Sequence, residues 1–229
     1  MHTRESLNLS IEERQQLAAT AVKAAAGRVP VIVHASMPGT DQVVTLARHA
    51  KSAGASPVVV VTPYHWQPSQ RALAEHFTTV ARSVSIDLLA YNFPSRLGVT
   101  VTAELLVELI ERVDNFVGVK DASYNMQSFT EACRLTSAAR PGFKMFTGVE
   151  FLLPSMVVGG AGCFSPCSAV APRLVADLYE ACRDGELKRA TELQHKMSAL
   201  WHLLRPGYPR RSRPPSDSSA ATRVACACP

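Results

Sequence analysis

A lysine closes an apolar segment of this chain, at a place where a free amine could do chemistry. The segment Phe116-Val117-Gly118-Val119-Lys120 predicts a buried strand. A lysine held away from water loses part of its preference for the charged form, so its neutral amine can attack a ketone and form a Schiff base. Taken alone, a lysine at a strand end more often reaches solvent, so its neighbours decide between the two interpretations.

A tyrosine closes the preceding apolar segment. Residues 86–91 end in Tyr91, which lies 29 positions before Lys120. This spacing is about one strand–helix–strand unit. If the two strands are parallel neighbours, both side chains emerge at the same carboxyl edge. There the lysine would form the imine, and the phenol would carry protons during carbon–carbon bond chemistry.

The elements that must position this pair alternate along the chain. A capping box at Ser10 and Glu13 begins the first helix, and Thr40, Ser69 and Thr102 mark later helix starts. The patterns predict helices over 11–26, 40–54, 69–84, 102–112, 126–137, 149–158, 172–183 and 186–203. Between them we expect strands over 29–34, 57–62, 86–91, 116–120, 144–147 and 162–165.

The strands are continuous apolar runs, which indicates burial on both faces and hence a parallel sheet. A repeat of about 25 to 30 residues is typical of a TIM (β/α)8-type barrel. Six strands are predicted where a closed barrel has eight, so we expect an incomplete barrel with C-terminal helices. A doubly wound α/β sheet is the alternative, but residues 35–39 lack its glycine fingerprint.

Composition places most of the chain in one folded domain. Its 229 residues are 47% hydrophobic and 19% charged, which suits an α/β protein. No apolar run approaches the roughly 20 residues of a membrane span, and the N-terminus has no secretory pattern, so we expect a cytoplasmic protein without membrane contact. The six cysteines follow no metal-site spacing, which predicts buried, reduced thiols and no metal.

The net charge of +5 is concentrated at one end. Residues 205–229 hold five arginines and one aspartate in a Pro/Ser-rich context, so we predict a partial barrel over 1–204 and a disordered tail over 205–229. Basic residues in such a tail do not form a folded nucleic-acid surface, and no nucleic-acid partner is expected. The helical pattern stops at Arg210, which indicates either a natural disordered tail or a shifted reading frame.

Several motifs in a fixed order resemble one enzyme family. The chain is similar to the dihydrodipicolinate synthase / N-acetylneuraminate lyase family of Schiff-base aldolases from Thr3 to about Tyr208. The motifs are Thr3-Arg4-Glu5-Ser6, Val61-Thr62-Pro63-Tyr64, Tyr91-Asn92-Phe93-Pro94-Ser95-Arg96, Gly118-Val119-Lys120-Asp121, Thr147-Gly148 and Gly159-Gly160-Ala161-Gly162. Each motif is weak alone, and their order and spacing carry the resemblance.

The resemblance implies a lyase of the aldolase, synthase or dehydratase type. It implies that Lys120 forms the imine with pyruvate or a related 2-oxo acid, without metal or organic cofactor, and that Tyr91 moves protons. It also implies that Thr3 binds the substrate carboxylate and that Arg96 meets the carboxylate of a second substrate. The remaining residues that it assigns to the substrate pocket are His2, His65, Gly148, Phe164 and Ser165.

Departures from the family pattern keep a second function open. His2 stands where a hydroxyl is common, His65 stands where a tyrosine from a dimer partner is common, and Phe164 replaces an aliphatic residue. The resemblance begins after the family's second strand, so the first strands are expected upstream of Met1. The resemblance implies a homodimer or homotetramer. The alternative function is a truncated, non-catalytic homologue that keeps the residues but not the closed barrel.

Overall fold

Six parallel strands in sequential order form the centre of the computed structural model, which describes residues 6–64, 66–148 and 150–205. The strands are β1 (Val33–His34), β2 (Val58–Val61), β3 (Leu88–Asn92), β4 (Phe116–Asp121), β5 (Lys144–Thr147) and β6 (Gly162–Cys163). Each strand pairs with the next one along the chain. A doubly wound sheet reverses its strand order, so that alternative is wrong, and the predicted incomplete barrel is confirmed.

Helices follow the strands, as the apolar patterns predicted. They are α1 (Ile11–Ala25), α2 (Thr40–Ser52), α3 (Gln70–Ser83), α4 (Pro94–Leu97), α5 (Ala103–Arg112), α6 (Met126–Ala139), α7 (Leu152–Val157), α8 (Pro172–Arg183) and α9 (Leu187–Leu204). Short 3-10 helices cover Ser6–Asn8 and Pro166–Ala169. None of the helices in the described part of the chain is long and apolar enough to cross a membrane.

Side-chain caps predicted from the sequence begin three of the helices. The capping box is present, because Glu13 N–H donates to Ser10 Oγ at 3.2 Å and Ser10 N–H donates to Glu13 Oε2 at 2.8 Å. Ser69 and Thr102 cap α3 and α5 as predicted. Thr40 is not a cap: Gly39 holds that position, and Thr40 Oγ1 lies 2.9 Å from His76 Nδ1. The Thr40 hydroxyl thus connects α2 to α3 and does not cap its own helix.

Alternate side chains of the strands belong to two apolar layers. Val58 and Val60 of β2 lie in the main core between the sheet and helices α2, α3, α5 and α6, whereas Val59 and Val61 lie on the inner face of the sheet. All four are buried. This explains why the strands are apolar without alternation. A separate cluster around Leu178, Met197 and Trp201 packs α7, α8 and α9 together.

The differences from the predicted elements lie in short segments. Helix α4 and the 3-10 helix at Pro166–Ala169 were not predicted, because four residues carry too little periodicity to indicate a helix. Strand β1 spans two residues where six were expected. The tail prediction for 205–229 falls outside the described residues beyond Arg205, and so does the choice between a disordered tail and a shifted frame.

Arg140 ties the amino end of β4 to the neighbouring helices. Its guanidinium donates to the backbone carbonyls of Asp114 at 3.0 Å, Phe116 at 2.8 Å and Val113 at 3.3 Å, and also to that of Ile110. One side chain therefore satisfies several carbonyls where α5 turns into β4.

We expect Arg140→Ala to lower the free energy of unfolding by about 2 kcal/mol, because partly buried carbonyls lose a charged donor. Urea unfolding measures this loss. Arg134→Ala is the matched control on α6, since Arg134 is 66% exposed and pairs with Glu131 within its own helix. Its expected loss is below about 0.5 kcal/mol. Equal losses in the two variants would contradict the proposed tie.

Candidate active site

Lys120 lies near the carboxyl end of β4 with its amine on the inner face of the sheet. The residue is only 4% exposed. Its Nζ lies 3.5 Å from the centroid of the Tyr91 ring and 5.6 Å from the centroid of the Phe164 ring. Burial lowers the pKa of Lys120 from 10.5 to about 7. Near neutral pH a large fraction of this amine is therefore unprotonated and nucleophilic.

Tyr91 is the neighbour of Lys120 across the β3–β4 pair. The two residues are register partners in parallel strands, so both side chains leave the sheet at one level and on one face. Phe93 stacks on the Tyr91 ring at 5.5 Å with an interplanar angle of 11°, and His34 approaches it edge-on at 6.5 Å. The phenol is thus held between aromatic neighbours beside the amine.

His34 is an inner-face residue that the sequence reasoning passed over. Its Nδ1 lies 3.5 Å from Ser6 Oγ, which connects β1 to the short helix at Ser6–Asn8. In the sequence, the only sign of a role for His34 is its position at the end of an apolar strand. Only the curvature of the sheet brings this ring toward β3, so the signal could not identify Tyr91 as its neighbour.

Gly118 explains how the chain accommodates a long side chain at Lys120. An added Cβ at Gly118 would lie 2.5 Å from the Lys144 carbonyl oxygen and 2.6 Å from Leu89 Cδ2. Without a side chain here, β5 packs closely against β4 and the Leu89 side chain fills the space below Lys120. Glycine two residues before Lys120 therefore allows the apolar Leu89 side chain to pack beneath the amine.

A hydrogen-bond network fixes the carboxyl ends of β3 and β4. Asn92 Nδ2 donates to Asp121 Oδ2 at 2.6 Å, and Asn92 Oδ1 accepts from Val101 N–H at 3.0 Å. Asp121 Oδ1 accepts from the backbone N–H of Ser123 at 3.0 Å and from its hydroxyl at 2.6 Å. The residues that follow Tyr91 and Lys120 in sequence thus connect the two strand ends to their loops.

Arg14 performs a comparable task at β1 and β2. The buried guanidinium reaches from α1 and donates to the carbonyls of His34 and Ser36, each at 3.0 Å. Ser36 Oγ in turn accepts from Val61 N–H at 2.7 Å. Burial lowers the pKa of Arg14, and the nearby Tyr64 opposes this shift. Burial raises the pKa of the Tyr64 phenol, with Arg14 acting in the opposite direction.

The structure brings some of the remaining predicted site residues close to Lys120. Phe164 is near the amine and packs edge-on against Phe146 at 5.3 Å. Gly148 N–H donates to the Asp121 carbonyl, and a Cβ at Gly148 would lie 2.7 Å from that of Ala122. Only glycine allows this close approach of the loop after β5 to the end of β4.

Other predicted site residues are placed differently. Ser165 is buried, and its Oγ accepts from Cys167 N–H at 3.1 Å, which caps the 3-10 helix at Pro166–Ala169. Arg96 is exposed on α4, which begins directly after Phe93. The predicted positions His2, Thr3 and His65 lie outside the described residues.

None of the cysteines in the described part of the chain is joined to another by a disulfide. Cys133 and Cys167 are buried, as predicted, whereas Cys163 and Cys182 are only half-buried. Within residues 6–64, 66–148 and 150–205, no group of three or more His, Cys, Asp or Glu side chains is arranged to hold a metal ion.

Comparison with known proteins identifies relatives of this chain. The model of the dihydrodipicolinate synthetase family matches residues 2–208. The chain is 39% identical over 198 residues to the 4-hydroxy-tetrahydrodipicolinate synthase of Bartonella bacilliformis, covering 86% of this chain and 67% of that protein. It is 34% identical to a probable 2-dehydro-3-deoxy-D-pentonate aldolase of Escherichia coli, covering 84% of this chain and 64% of the relative.

Solved structures show the same fold. The crystal structure of dihydrodipicolinate synthase from Aquifex aeolicus superposes with a TM-score of 0.84 at 35% identity, covering 87% of this chain and 68% of that one. YagE of Escherichia coli, solved in complex with pyruvate, superposes with a TM-score of 0.85 at 29% identity, covering 89% and 70%. This chain thus spans about two thirds of the length of these relatives.

The buried amine makes the stability of the protein depend on pH. Because the pKa of Lys120 is about 7 in the native state and 10.5 in the unfolded chain, the unfolded chain binds more protons between these values. Native stability therefore rises with pH through this window. We expect the stability advantage of Lys120→Met over the wild type to shrink by roughly 3 kcal/mol between pH 7 and pH 10.

Urea unfolding at the two pH values measures this change. Lys144→Met is the control, because Lys144 is an exposed lysine on the neighbouring strand β5. If Lys120→Met and Lys144→Met show the same pH dependence, the Lys120 amine is not desolvated.

Proposed function

This chain belongs to the dihydrodipicolinate synthetase family, and on that premise we propose that it is a lyase in which Lys120 forms a Schiff base with pyruvate or a related 2-oxo acid. One observation carries the proposal: an amine whose pKa is lowered to about 7 lies 3.5 Å from the centre of a tyrosine ring on the inner face of the sheet. Relatives of this chain are named as synthases and as an aldolase.

The proposed reaction begins with the neutral Lys120 amine. Its lone pair bonds to the keto carbon of the 2-oxo acid, the oxygen takes a proton, and water then leaves to give the protonated imine. The positive nitrogen withdraws electrons through the imine carbon from the next carbon, C3 of the 2-oxo acid. That carbon loses a proton, and the imine becomes an enamine with C3 as its nucleophilic carbon. This carbon is the one that makes or breaks a bond to the second substrate.

Tyr91 is the proposed proton carrier for these steps. A general acid or base must lie within hydrogen-bond reach of the proton that it moves. Tyr91 is the register partner of Lys120 on the neighbouring strand, so its side chain lies beside the amine. Loss of water from the carbinolamine needs a proton on the departing hydroxyl. The phenol can supply that proton and recover one from the carbon that becomes the enamine.

Carboxylate binding completes the proposal. The resemblance assigns the 2-oxo acid carboxylate to Thr3 and puts His2 and His65 at positions of the family's proton relay. These assignments remain predictions. Arg96 is exposed at the carboxyl side of the sheet, where its planar guanidinium could bind a carboxylate of a second substrate in two-pronged fashion. The covalent imine serves as the electron sink, so the proposed reaction needs no metal or organic cofactor.

A non-catalytic homologue is the second candidate. One observation favours it: in the described part of the chain the sheet ends at β1 and β6, which do not pair with each other. Open strand edges expose backbone groups and invite pairing with another chain. The predicted dimer or tetramer is one way to cover such edges, and it remains a prediction.

Borohydride trapping with pyruvate tests the proposed imine directly. We expect one adduct on the intact protein, mapped to Lys120, and complete loss of that adduct in Lys120→Ala. Lys144→Ala is the matched control for removal of a lysine on the neighbouring strand, and it should keep the adduct. An adduct that survives Lys120→Ala would overturn the assignment. A folded wild-type protein without any adduct would favour the non-catalytic candidate.

Tyr91→Phe separates proton transfer from nucleophilic attack. The change keeps the ring beside the amine and removes only the hydroxyl. We expect the rate of imine formation to fall by about 100-fold, as is common when a general acid is removed, while slow trapping on Lys120 persists. Single-turnover trapping measures this rate. An unchanged rate would exclude Tyr91 as the proton carrier.

A further inference from the structure

Two phenylalanines form an aromatic wall on the β5–β6 side of Lys120. The aromatic wall consists of Phe146 and Phe164, whose rings pack edge-on with centroids 5.3 Å apart and an interplanar angle of 87°. Phe164 places its ring centroid 5.6 Å from Lys120 Nζ. The wall therefore lies close to the atom at which the proposed imine forms.

The sheet register fixes the wall on the same face as the amine. Phe146 is the register partner of Lys120 across the β4–β5 pair. Gly162 is in turn the partner of Phe146, and Phe164 follows Gly162 by two residues, which returns to the same face. Strand β3 brings Tyr91 from the other side. The amine thus stands between aromatic side chains from both neighbouring strands.

These rings keep accessible surface beside the amine. Val59 and Leu89, deeper on the inner face, are only 1% and 2% exposed, whereas Phe146 and Phe164 are half-buried. If the wall served only to desolvate Lys120, its rings would be expected to be fully buried, as Val59 and Leu89 are. Half-buried aromatic rings beside a reactive group are instead typical of surfaces that contact a ligand.

We propose that the aromatic wall binds an aryl or similarly flat, apolar substituent on the aldehyde that the Lys120 enamine bonds to or releases. This inference rests on the proposed Schiff-base function and adds the class of its second substrate. Offset or edge-on contact with aromatic rings favours such a group. A polyhydroxylated chain would lose hydrogen bonds to water at the wall without replacement.

The proposed condensation needs only the enamine, the aldehyde and water. In the condensation direction the enamine carbon bonds to the aldehyde carbon, and the aldehyde oxygen takes a proton to become a hydroxyl. Water then adds to the imine carbon, and the carbon–nitrogen bond breaks. The products are a 4-hydroxy-2-oxo acid and the free Lys120 amine. The cleavage direction reverses each step.

The experiment supplies pyruvate with competing aldehydes and measures each 4-hydroxy-2-oxo acid by mass spectrometry. Benzaldehyde tests the wall, D-glyceraldehyde represents polyhydroxylated aldehydes, and succinic semialdehyde represents anionic ones. We expect benzaldehyde to react about tenfold faster than D-glyceraldehyde, which corresponds to one favourable aromatic contact. In Phe164→Leu that ratio should fall to about one. Faster reaction of either other aldehyde in the wild type would overturn the inference.

Phe151→Leu is the matched control. Phe151 is also half-buried and also packs edge-on against an aromatic ring, but its partner is Tyr124 in the loop after β4. The ratio of the two rates should stay at its wild-type value in this variant. If Phe151→Leu and Phe164→Leu lower the ratio equally, the preference comes from overall stability and the aromatic wall is not its origin.

A binding measurement separates failure of this inference from failure of the proposed function. If pyruvate is not trapped on Lys120, the Schiff-base function fails, and the wall is then tested with benzyl alcohol, which cannot form an imine. Saturation-transfer NMR should show contact of benzyl alcohol with the wild type and with Phe151→Leu, and loss of contact in Phe164→Leu. Absence of contact with the wild type would overturn the aromatic-wall inference by itself.

Discussion

Burial of the Lys120 amine dictates how the strands and loops around it are packed. An ammonium group in a water-poor interior costs several kcal/mol, and the native state reduces that cost by letting the pKa fall to about 7. The remaining cost is carried by the packing of the sheet. The same desolvation that destabilises the fold supplies a neutral amine for attack on a carbonyl, so stability and chemistry oppose each other at this residue.

Burial of apolar side chains on both faces of the strands offsets the free-energy cost of burying the Lys120 amine. Outer-facing residues such as Val58 and Val60 join the large core beneath the helices, and inner-facing residues such as Val59 and Leu89 form a second apolar layer around the amine. Gly118 allows β4 and β5 to approach and lets Leu89 close the space below Lys120. Removing a side chain at one position thereby creates the dry environment of another.

Side chains at the carboxyl edge hold the strand ends in fixed relation. Asn92 and Asp121 bond to each other and to the loops that follow β3 and β4. Arg14 binds the carbonyls of His34 and Ser36 from α1. Neither group contacts the Lys120 amine in this structure, yet both connect elements that bear Tyr91, His34 and Lys120. The geometry of the candidate site is therefore a property of the whole edge of the sheet.

Short-range patterns were enough to predict the parallel sheet, the helix caps at Ser10, Ser69 and Thr102, and the neighbouring positions of Tyr91 and Lys120. These features follow from apolar runs, local hydrogen-bonding rules and a regular spacing, which act over short stretches of chain. Two contacts appear only in the folded chain: His34 approaches Tyr91, and Phe146 faces Lys120. Those contacts join residues on different strands or loops, and sheet register and curvature, which no local pattern encodes, bring them together.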